Sequence, residues 1–452
     1  MQQPVSAEQI EILEVSISSE RFLEDKKLFL SGSENDGSVG VELQIYENIY
    51  MPYLTGYLLV QDDNDLYRVA EIKGTERVNV RFRSPGSDAD IEKVFIITNV
   101  QKSIKVNDQL SQLLFEIIED HGYFNDLQLV NRSYNGTGIE IIQKILLDNS
   151  NMIFNPNVSY KDPVQKSFRY IVPWQTAYEA INTVLNFITT DNSLPYFFYS
   201  SLNSDFLILT DLESILEREP FNQDIQPFLY SQGKIAYKNT IEDQAFNISN
   251  IETNNQNDTL ALAKMGAVGT SFENIDTLSS NNVDLRIDMA QEYQRLSDAS
   301  IVNLSSNRIP IDDKFRVDGK EDLKMTDLNS RRLTLLSHTP YKDTGGLISE
   351  PINAKEIVVK NNYLKYLHDG SFDITVPGLA MGVKNINRAV GNTINVNILK
   401  EGDTGKQSML EDERRSGTFV MLAKNHVFNL TQETHNVVVK LGRITEPRRI
   451  DD

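Results

Sequence analysis

The sequence has no cysteine among its 452 residues, one tryptophan and five histidines. Without thiols there is no disulfide framework, no thiolate nucleophile, no zinc–thiolate site and no iron–sulfur cluster. Basic residues are outnumbered: 44 Lys and Arg against 64 Asp and Glu leave a formal charge of −20. With an isoelectric point near 4.8, the chain does not neutralise phosphates by wrapping nucleic acid. No uncharged apolar run approaches the ~20 residues that span a bilayer, so no membrane insertion is expected. The stretch Met1–Ser19 carries Glu8, Glu11 and Glu14 and no basic residue, unlike the start of a signal peptide. What is present is globular: 40% hydrophobic and 24% charged residues, in a length that suggests about three units of ~150 residues.

The opening region reads as β. Val39, Val41, Leu43 and Ile45 alternate with polar or small residues, the period of a strand with one buried face. The chain turns at Met51-Pro52, resumes as Thr55–Val60 and stops at Asp62–Asp65. Val78, Val80 and Phe82 alternate with Arg77, Asn79, Arg81 and Arg83. After the Ser84-Pro-Gly86 loop come two long strands, 93–105 and 109–120, around a turn at Val106–Asp108. From 123 to 225 helical spacing appears in Ile139, Ile142, Ile145 and Leu146. It recurs in an apolar stripe from Trp174 to Thr189, where Pro173 suits the start. Strand-like pieces follow at Tyr196–Ser200 and Asp205–Thr210. From 226 to 350 the chain is polar and poorly periodic, with one amphipathic helix expected at Asp288–Leu296. Strands return at 372–376, 393–399, 418–428 and 436–444.

The end echoes the beginning. Val78, Val80 and Phe82 align with Ile394, Val396 and Ile398. At one further offset, Phe95 aligns with Phe419, Ile97 with Met421, Ile104 with Phe428, Val106 with Leu430, Phe115 with Val439 and Ile117 with Leu441. The fold class expected is therefore α+β, mainly β, with two similar β-barrels produced by internal duplication. The expected domains are a first barrel (1–122), a small α+β domain (123–225), a second barrel (226–250 and 351–452) and an inserted polar domain (251–350).

Signals for chemistry are weak. Glu116, Glu119, Asp120 and His121 are acid/base residue types, but a solvated strand end explains them, and a glycosidase needs carboxylates converging across a cleft. His426 and His435 have no third ligand nearby in sequence. The acids at 62–65 lack the glycine turn of a calcium loop, and those at 401–403 and 411–413 read as a hairpin tip. Gly402–Gln407 lacks Walker spacing, the glycines from 32 to 40 flank acids that repel phosphate, and no Gly-x-Ser-x-Gly elbow exists. Trp174, heading an apolar stripe, reads as a core anchor. The Arg77, Arg81 and Arg83 face reads equally as an intersubunit ion-pair face or a solvated one. No catalytic, metal or cofactor residue is assigned.

The run Leu43-Gln-Ile-Tyr-Glu-Asn-Ile-Tyr-Met-Pro-Tyr-Leu-Thr-Gly-Tyr-Leu-Leu-Val60 resembles the first-barrel signature of the baseplate central hub proteins of contractile-tailed bacteriophages. Phe95–Val100 is similar to that family's next barrel strand. Val172-Pro-Trp174 with Phe197-Phe-Tyr199 is similar to its middle domain, and Ile374–Gly378, Ser416–Phe419 and His426–Phe428 to its closing barrel. The N-terminal part of type VI secretion spikes is similar too. The resemblance spans nearly the whole chain and is loosest over 251–350. It implies a non-enzymatic virion protein of the tail baseplate, assembled in the host cytoplasm. In such a homotrimer, two barrels per chain make a pseudo-sixfold ring between the hexameric tail tube and the trimeric central spike. Its implied partners are the tube protein, the spike protein and other wedge or sheath-proximal baseplate proteins. DNA would cross its channel without specific binding, and the charge of −20 per chain predicts an acidic wall there. Interface candidates are Ile45, Tyr46, Tyr50, Pro52, Tyr53, Thr55 and Gly56 in one segment, and Phe95, Phe419 and Phe428 on the hairpin arms 93–119 and 417–444. Two other readings compete: a tail-associated glycan-binding or glycan-hydrolysing protein, and a single-ring tube or adaptor protein.

Overall fold

The computed structural model describes residues 6–22, 27–31, 39–62, 71–105, 111–149, 154–155, 157–165, 167–231, 237, 239–253, 260, 264, 266, 269–276, 282–298, 316–317, 320–324, 331–337, 354–368, 371–400, 411–412 and 415–443. The turn at Val106–Asp108, the glycines between 32 and 38, the acids at 63–65 and 401–403, and Gly402–Gln407 lie outside them.

One 13-stranded sheet dominates. Its strands are β1 (Glu11–Ser18), β2 (Lys27–Ser31), β3 (Val39–Asn48), β4 (Thr55–Asp62), β5 (Arg77–Arg83), β6 (Ile91–Lys105), β7 (Ser111–Glu119), β8 (Phe228–Tyr230), β9 (Asn250–Thr253), β10 (Phe372–Pro377), β11 (Thr393–Ile398), β12 (Gly417–Asn429) and β13 (Thr434–Gly442). The order is β9-β10-β13-β12-β3-β4-β7-β6-β5-β1-β2, and β12 also pairs β11, which pairs β8. All pairs are antiparallel except β8–β11. Alternation drives these strands: β4 and β13 bury every second residue, as a pleated strand with one covered face must.

The sheet contains the same strand order twice. The path β3-β4-β7-β6-β5 is repeated as β9-β10-β13-β12-β11. The register repeats too. Val78 faces Phe95, Ile117 faces Ile97 and Leu58 faces Phe115. Ile394 faces Phe419, Leu441 faces Met421 and Ile374 faces Val439 in the second unit. Each long strand breaks register at the same point, between Ile97 and Asn99 and between Met421 and Ala423. A bulge so placed bends the strand and changes its twist. Only β6 has a further break, between Val100 and Lys102.

The two units join along β12. Its first residues pair with β11, while Ala423–Asn429 pair with β3 on the same edge. The sheet buries two apolar cores. The first holds Ile45, Leu58, Phe95, Phe115 and, from β12, Phe428. The second holds Phe228, Ile374, Ile394, Phe419 and Val439. Among the described residues the pairings run as an open path and close no barrel, so the expectation of two barrels is met only as a mainly-β architecture with two cores.

The helices are α1 (Asp120–Asp126), α2 (Gly138–Asn149), α3 (Ala177–Phe187), α4 (Leu212–Glu217) and α5 (Ile241–Gln244) between β7 and β9, and α6 (Met289–Asp298) and α7 (Ala354–His368) between β9 and β10. α2 and α3 bury their apolar stripes against the hairpin Tyr196–Tyr199/Ile208–Asp211. α3 starts later than expected. Its cap is Thr176, whose hydroxyl accepts the Glu179 N–H while Glu179 accepts the Thr176 N–H, a reciprocal capping box. Trp174 therefore precedes the helix. It is 67% exposed with φ +51°, which corrects its reading as a core anchor.

The polar region is more ordered than its sequence suggests. Gly269–Asp276 pairs with Asn282–Asp288 and Arg331–Ser337 in a small sheet, and the expected amphipathic helix forms as α6. α7 supplies Val359, Tyr363, Tyr366 and Leu367 to a core shared with Ile49, Tyr199, Val420 and Leu422. All of this enters between β9 and β10. The equivalent connection in the first unit, β3 to β4, is the short corner at 49–54.

Candidate functional site

The corner between β3 and β4 carries most of the expected contact residues. The Asn48 side chain accepts the Tyr50 N–H and its carbonyl accepts the Met51 N–H. The Met51 carbonyl then accepts the Ser200 N–H. Pro52 cannot donate to a ladder, so pairing resumes only at Thr55. Gly56 is needed there. A Cβ at Gly56 would stand 2.2 Å from the Gln44 carbonyl oxygen, so β4 reaches β3 at this point only without a side chain.

Next to the corner is a groove of about 460 Å³. Its walls include Tyr50, Pro52, Tyr53, Tyr178 and Phe197, and its rim includes Asp126 and Glu179. Tyr53 stacks on Tyr178 at 6.2 Å between centroids, and Tyr50 meets Phe197 edge-on at 5.5 Å. The Tyr50 hydroxyl lies 2.6 Å from His368 Nε2. Burial first, and then the charges of Asp126 and Glu179, push the Tyr53 hydroxyl above the ordinary phenol value.

The ten expected contact residues divide by depth. Ile45, Gly56, Phe95, Phe419 and Phe428 are enclosed within the chain. Tyr46, Pro52, Tyr53 and Thr55 are half-buried, and Tyr50 is 41% exposed. Tyr46 meets Tyr57 edge-on at 5.9 Å. Ile45, Phe95 and Phe428 meet inside the first core, whereas Tyr50, Pro52 and Tyr53 meet at the groove.

Two buried ionic clusters grip the loop after the Tyr196–Tyr199 strand. In the first, Lys93 Nζ donates to Glu119 Oε1 at 2.9 Å and to the Ser204 carbonyl. Glu119 Oε2 accepts from the Leu54 N–H and the Ser200 hydroxyl, and His121 Nε2 is 3.0 Å away. Burial alone would raise the Glu119 carboxyl, but Lys93 and His121 hold it well below the usual carboxylate range. Glu119 is thus an ion-paired interior group, not a solvated strand end. Glu116 lies on the other face, accepting from Gln101, so the two acids do not converge.

In the second cluster, Lys424 Nζ is 2.9 Å from Glu47 Oε1, with both side chains fully enclosed. Glu47 Oε2 accepts from the Ser201 hydroxyl and the Leu202 N–H. His426 Nε2 is 2.9 Å from Glu47 and its Nδ1 is 3.0 Å from His435 Nε2. A proton on each Nε2 satisfies this chain and leaves His435 Nδ1, which has no partner, as a neutral acceptor. Burial lowers both imidazoles, with Lys424 adding to the effect, His435 well below its ordinary value. Against its burial, Lys424 and His426 keep Glu47 ionised. The two histidines therefore meet, but among the described residues no group of three His, Cys, Asp or Glu could hold a metal. The arginine face is tied within the chain: Arg81 and Arg83 both pair with Asp90.

No protein-family model and no curated protein matches the sequence. The fold is similar to that of a tail protein from Neisseria meningitidis MC58, at 10% identity over 96% of each chain with a TM-score of 0.50. It also matches a 43 kDa tail protein of prophage MuSo2 from Shewanella oneidensis more loosely, at 11% identity over 96% of this chain and 100% of that one, with a TM-score of 0.48. An E. coli component of the type VI secretion system, described as similar to T4 bacteriophage tail proteins gp27 and gp5, matches at 8% identity over 98% of this chain and 79% of that one, with a TM-score of 0.41. Along nearly all its length, the chain shares the fold of a tail protein.

Proposed function

We propose that the chain is a non-enzymatic structural protein of a phage-like tail, a trimeric hub between a sixfold tube and a threefold spike. The observation that carries this reading is the repeated strand order and register within one sheet. Two equivalent units per chain turn three chains into six near-equivalent positions, which is what joining sixfold to threefold symmetry requires. In this reading residues 1–122 and the pair 226–250 with 351–452 form two tube-like barrels. Residues 123–225 are a separate α+β domain, and 251–350 are an insert at the second unit's corner. The tube, spike and neighbouring baseplate proteins are its partners, the virion tail is its location, and DNA passes its acidic channel unbound.

The repeat also specifies the contact between copies. Inside one chain the outer edge of the first unit, β3, pairs with Ala423–Asn429 of β12. The corresponding edges are β9 and the stretch of β6 beyond Ile97, and among the described residues neither has a partner strand there. Unpaired edges of this kind invite strand addition. In the ring, β9 of one copy pairs with residues 99–105 of the next. Gln44 faces Val427 in the internal seam through the Ala423–Asn429 pairing, which places Glu252 opposite Ser103, or opposite Ile104 once the extra β6 bulge is counted. Because the chain has no cysteine, E252C combined with S103C or I104C tests this directly. Oxidation should convert one of these double variants to a covalent trimer, while each single variant stays uncrosslinked. Light scattering on the unmodified protein should give three copies, alone or with its spike. A monomer or a six-copy ring, with no crosslink in either double variant, overturns the reading.

A further inference from the structure

Beside the groove lies an exposed apolar surface that the described residues leave uncovered. Phe124, Leu127, Leu129 and Trp174 are 46%, 65%, 59% and 67% exposed. They are held together by backbone. The Val130 N–H donates to the Gln175 carbonyl at 2.7 Å, so Leu129 and Trp174 flank one bridged pair. The Tyr178 N–H donates to the Asn125 side chain at 3.0 Å, which fixes the end of α1 to the start of α3. The patch runs into the groove at both seams: Leu127 follows Asp126, and Trp174 stands two residues before Thr176, and both Asp126 and Thr176 line the groove. Trp174 is exposed and sits in the left-handed backbone region, φ +51°. A bulky residue in that region is strained, and such strain persists where the surroundings impose it, often at binding sites.

The rim fixes the chemistry of what fits. Asp126 accepts from the Asn125 side chain and Glu179 from the Thr176 N–H. Neither carboxylate has a Lys or Arg partner among the described residues. Both act on Tyr53, whose ring stacks with Tyr178. Two uncompensated carboxylates over stacked aromatic rings form a seat for a cation, through charge and through the ring faces.

We infer that this surface docks an extended segment of another protein that carries an arginine or lysine flanked by aliphatic residues. The cation enters the Tyr53–Tyr178 groove beneath Asp126 and Glu179. The aliphatic neighbours cover Leu127, Leu129 and Trp174. The edge pairing that would close a ring lies on other strands, so this docking surface can fail while the ring reading stands, and the reverse.

Trp174 is the only tryptophan, so its emission reports occupancy of the patch. The full chain would be titrated with acetyl-Val-Arg-Leu-Arg-Val-amide and, in parallel, with acetyl-Val-Glu-Leu-Glu-Val-amide. The arginine peptide should shift Trp174 emission saturably and the glutamate peptide should not. D126N and E179Q should each weaken binding about tenfold, the loss of one charge-assisted contact of ~1.4 kcal/mol. Glutamine keeps the α3 capping box, so an unchanged thermal midpoint excludes misfolding as the cause. L127S with L129S should weaken the same titration, read by calorimetry as well as by emission. Equal binding of both peptides, indifference to D126N and E179Q, or no saturation by about 5 mM, above the ~1 mM of a weak contact, would overturn the inference.

Discussion

The two five-strand units share order, register and one bulge, yet their buried polar groups differ in kind. The first unit keeps its ion pair to itself: Lys93 and Glu119 lie on adjacent strands of one half. The second lends its lysine across the seam, where Lys424 of β12 meets Glu47 of β3. Both pairs hold the same loop, through Ser200 and Ser204 on one side and Ser201, Leu202 and Asn203 on the other. Equivalent backbones thus carry different tasks. One pair stiffens a unit; the other joins two units and orients the loop between them.

Removing either carboxylate separates these tasks and gives the largest expected effect. E47A leaves Lys424 enclosed without its counter-charge, and E119A does the same to Lys93. Orphaning a buried ion-pair partner costs ~3–5 kcal/mol, readable by denaturant unfolding. Hydrogen exchange distinguishes the two. E47A should deprotect β3 and Ala423–Asn429 together, while E119A should deprotect β6, β7 and the loop but spare β12. Uniform deprotection in both variants would erase the contrast.

The next test sits at matched close approaches. A Cβ at Gly442 would stand 2.3 Å from the Leu367 carbonyl oxygen, much as one at Gly56 meets Gln44. G56A and G442A should each cost ~1–3 kcal/mol by overpacking. G56A should cost more, since Gly56 lies within a paired ladder and Gly442 at a strand end. The reverse order in thermal unfolding would mean that α7, not the sheet, dominates the second unit.

The mildest contrast is with pH. His426 and His435 are held below the ordinary imidazole value of 6.5. The unfolded chain then takes up protons that the folded one refuses, so stability falls as pH drops below 6.5. Each proton contributes at most ~1.4 kcal/mol per pH unit. Glu47 and Glu119 are held below their ordinary value of 4.5. Their contribution is present above that value and is lost on further acidification. Denaturation midpoints should therefore fall in two stages, and H426N should flatten the first. A single stage below pH 4.5 would show that the histidines do not matter.

Much of the sheet was legible because alternation is local. Val39–Ile45, Thr55–Val60, Val78–Phe82 and the hairpin arms declare one buried face residue by residue. β1 was missed. Its register shifts between Ile12 and Glu14 and between Val15 and Ser16 interrupt the period. α7 was missed because Ile357, Val358 and Val359 are β-branched and its residues are buried around much of the circumference, which blurs helical spacing. The strands at 269–276, 282–288 and 331–337 carry mostly polar residues. At the site, the aromatic corner was visible as a motif, but the acids beside it were not, since Asp126 and Glu179 come from two different helices. The ionic clusters were illegible for a plainer reason. Glu47 and His426 stand 379 residues apart, and nothing local distinguishes a buried glutamate from a solvated one. Trp174 misled because an apolar residue before a helix normally points inward, whereas here it stands exposed on a left-handed backbone.

β12 has a mechanical consequence. It carries one unit on its first residues and the other on its last, along a single edge. A pull separating the units along the strand direction loads every hydrogen bond of the β3 seam at once, in shear, instead of opening them one after another. The same strand is bonded on its opposite edge to β13, so load entering either unit is shared across three strands before any pair can give. Neither unit can be cut free without exposing a raw edge on the other. Whatever force reaches one half of this molecule is carried by both.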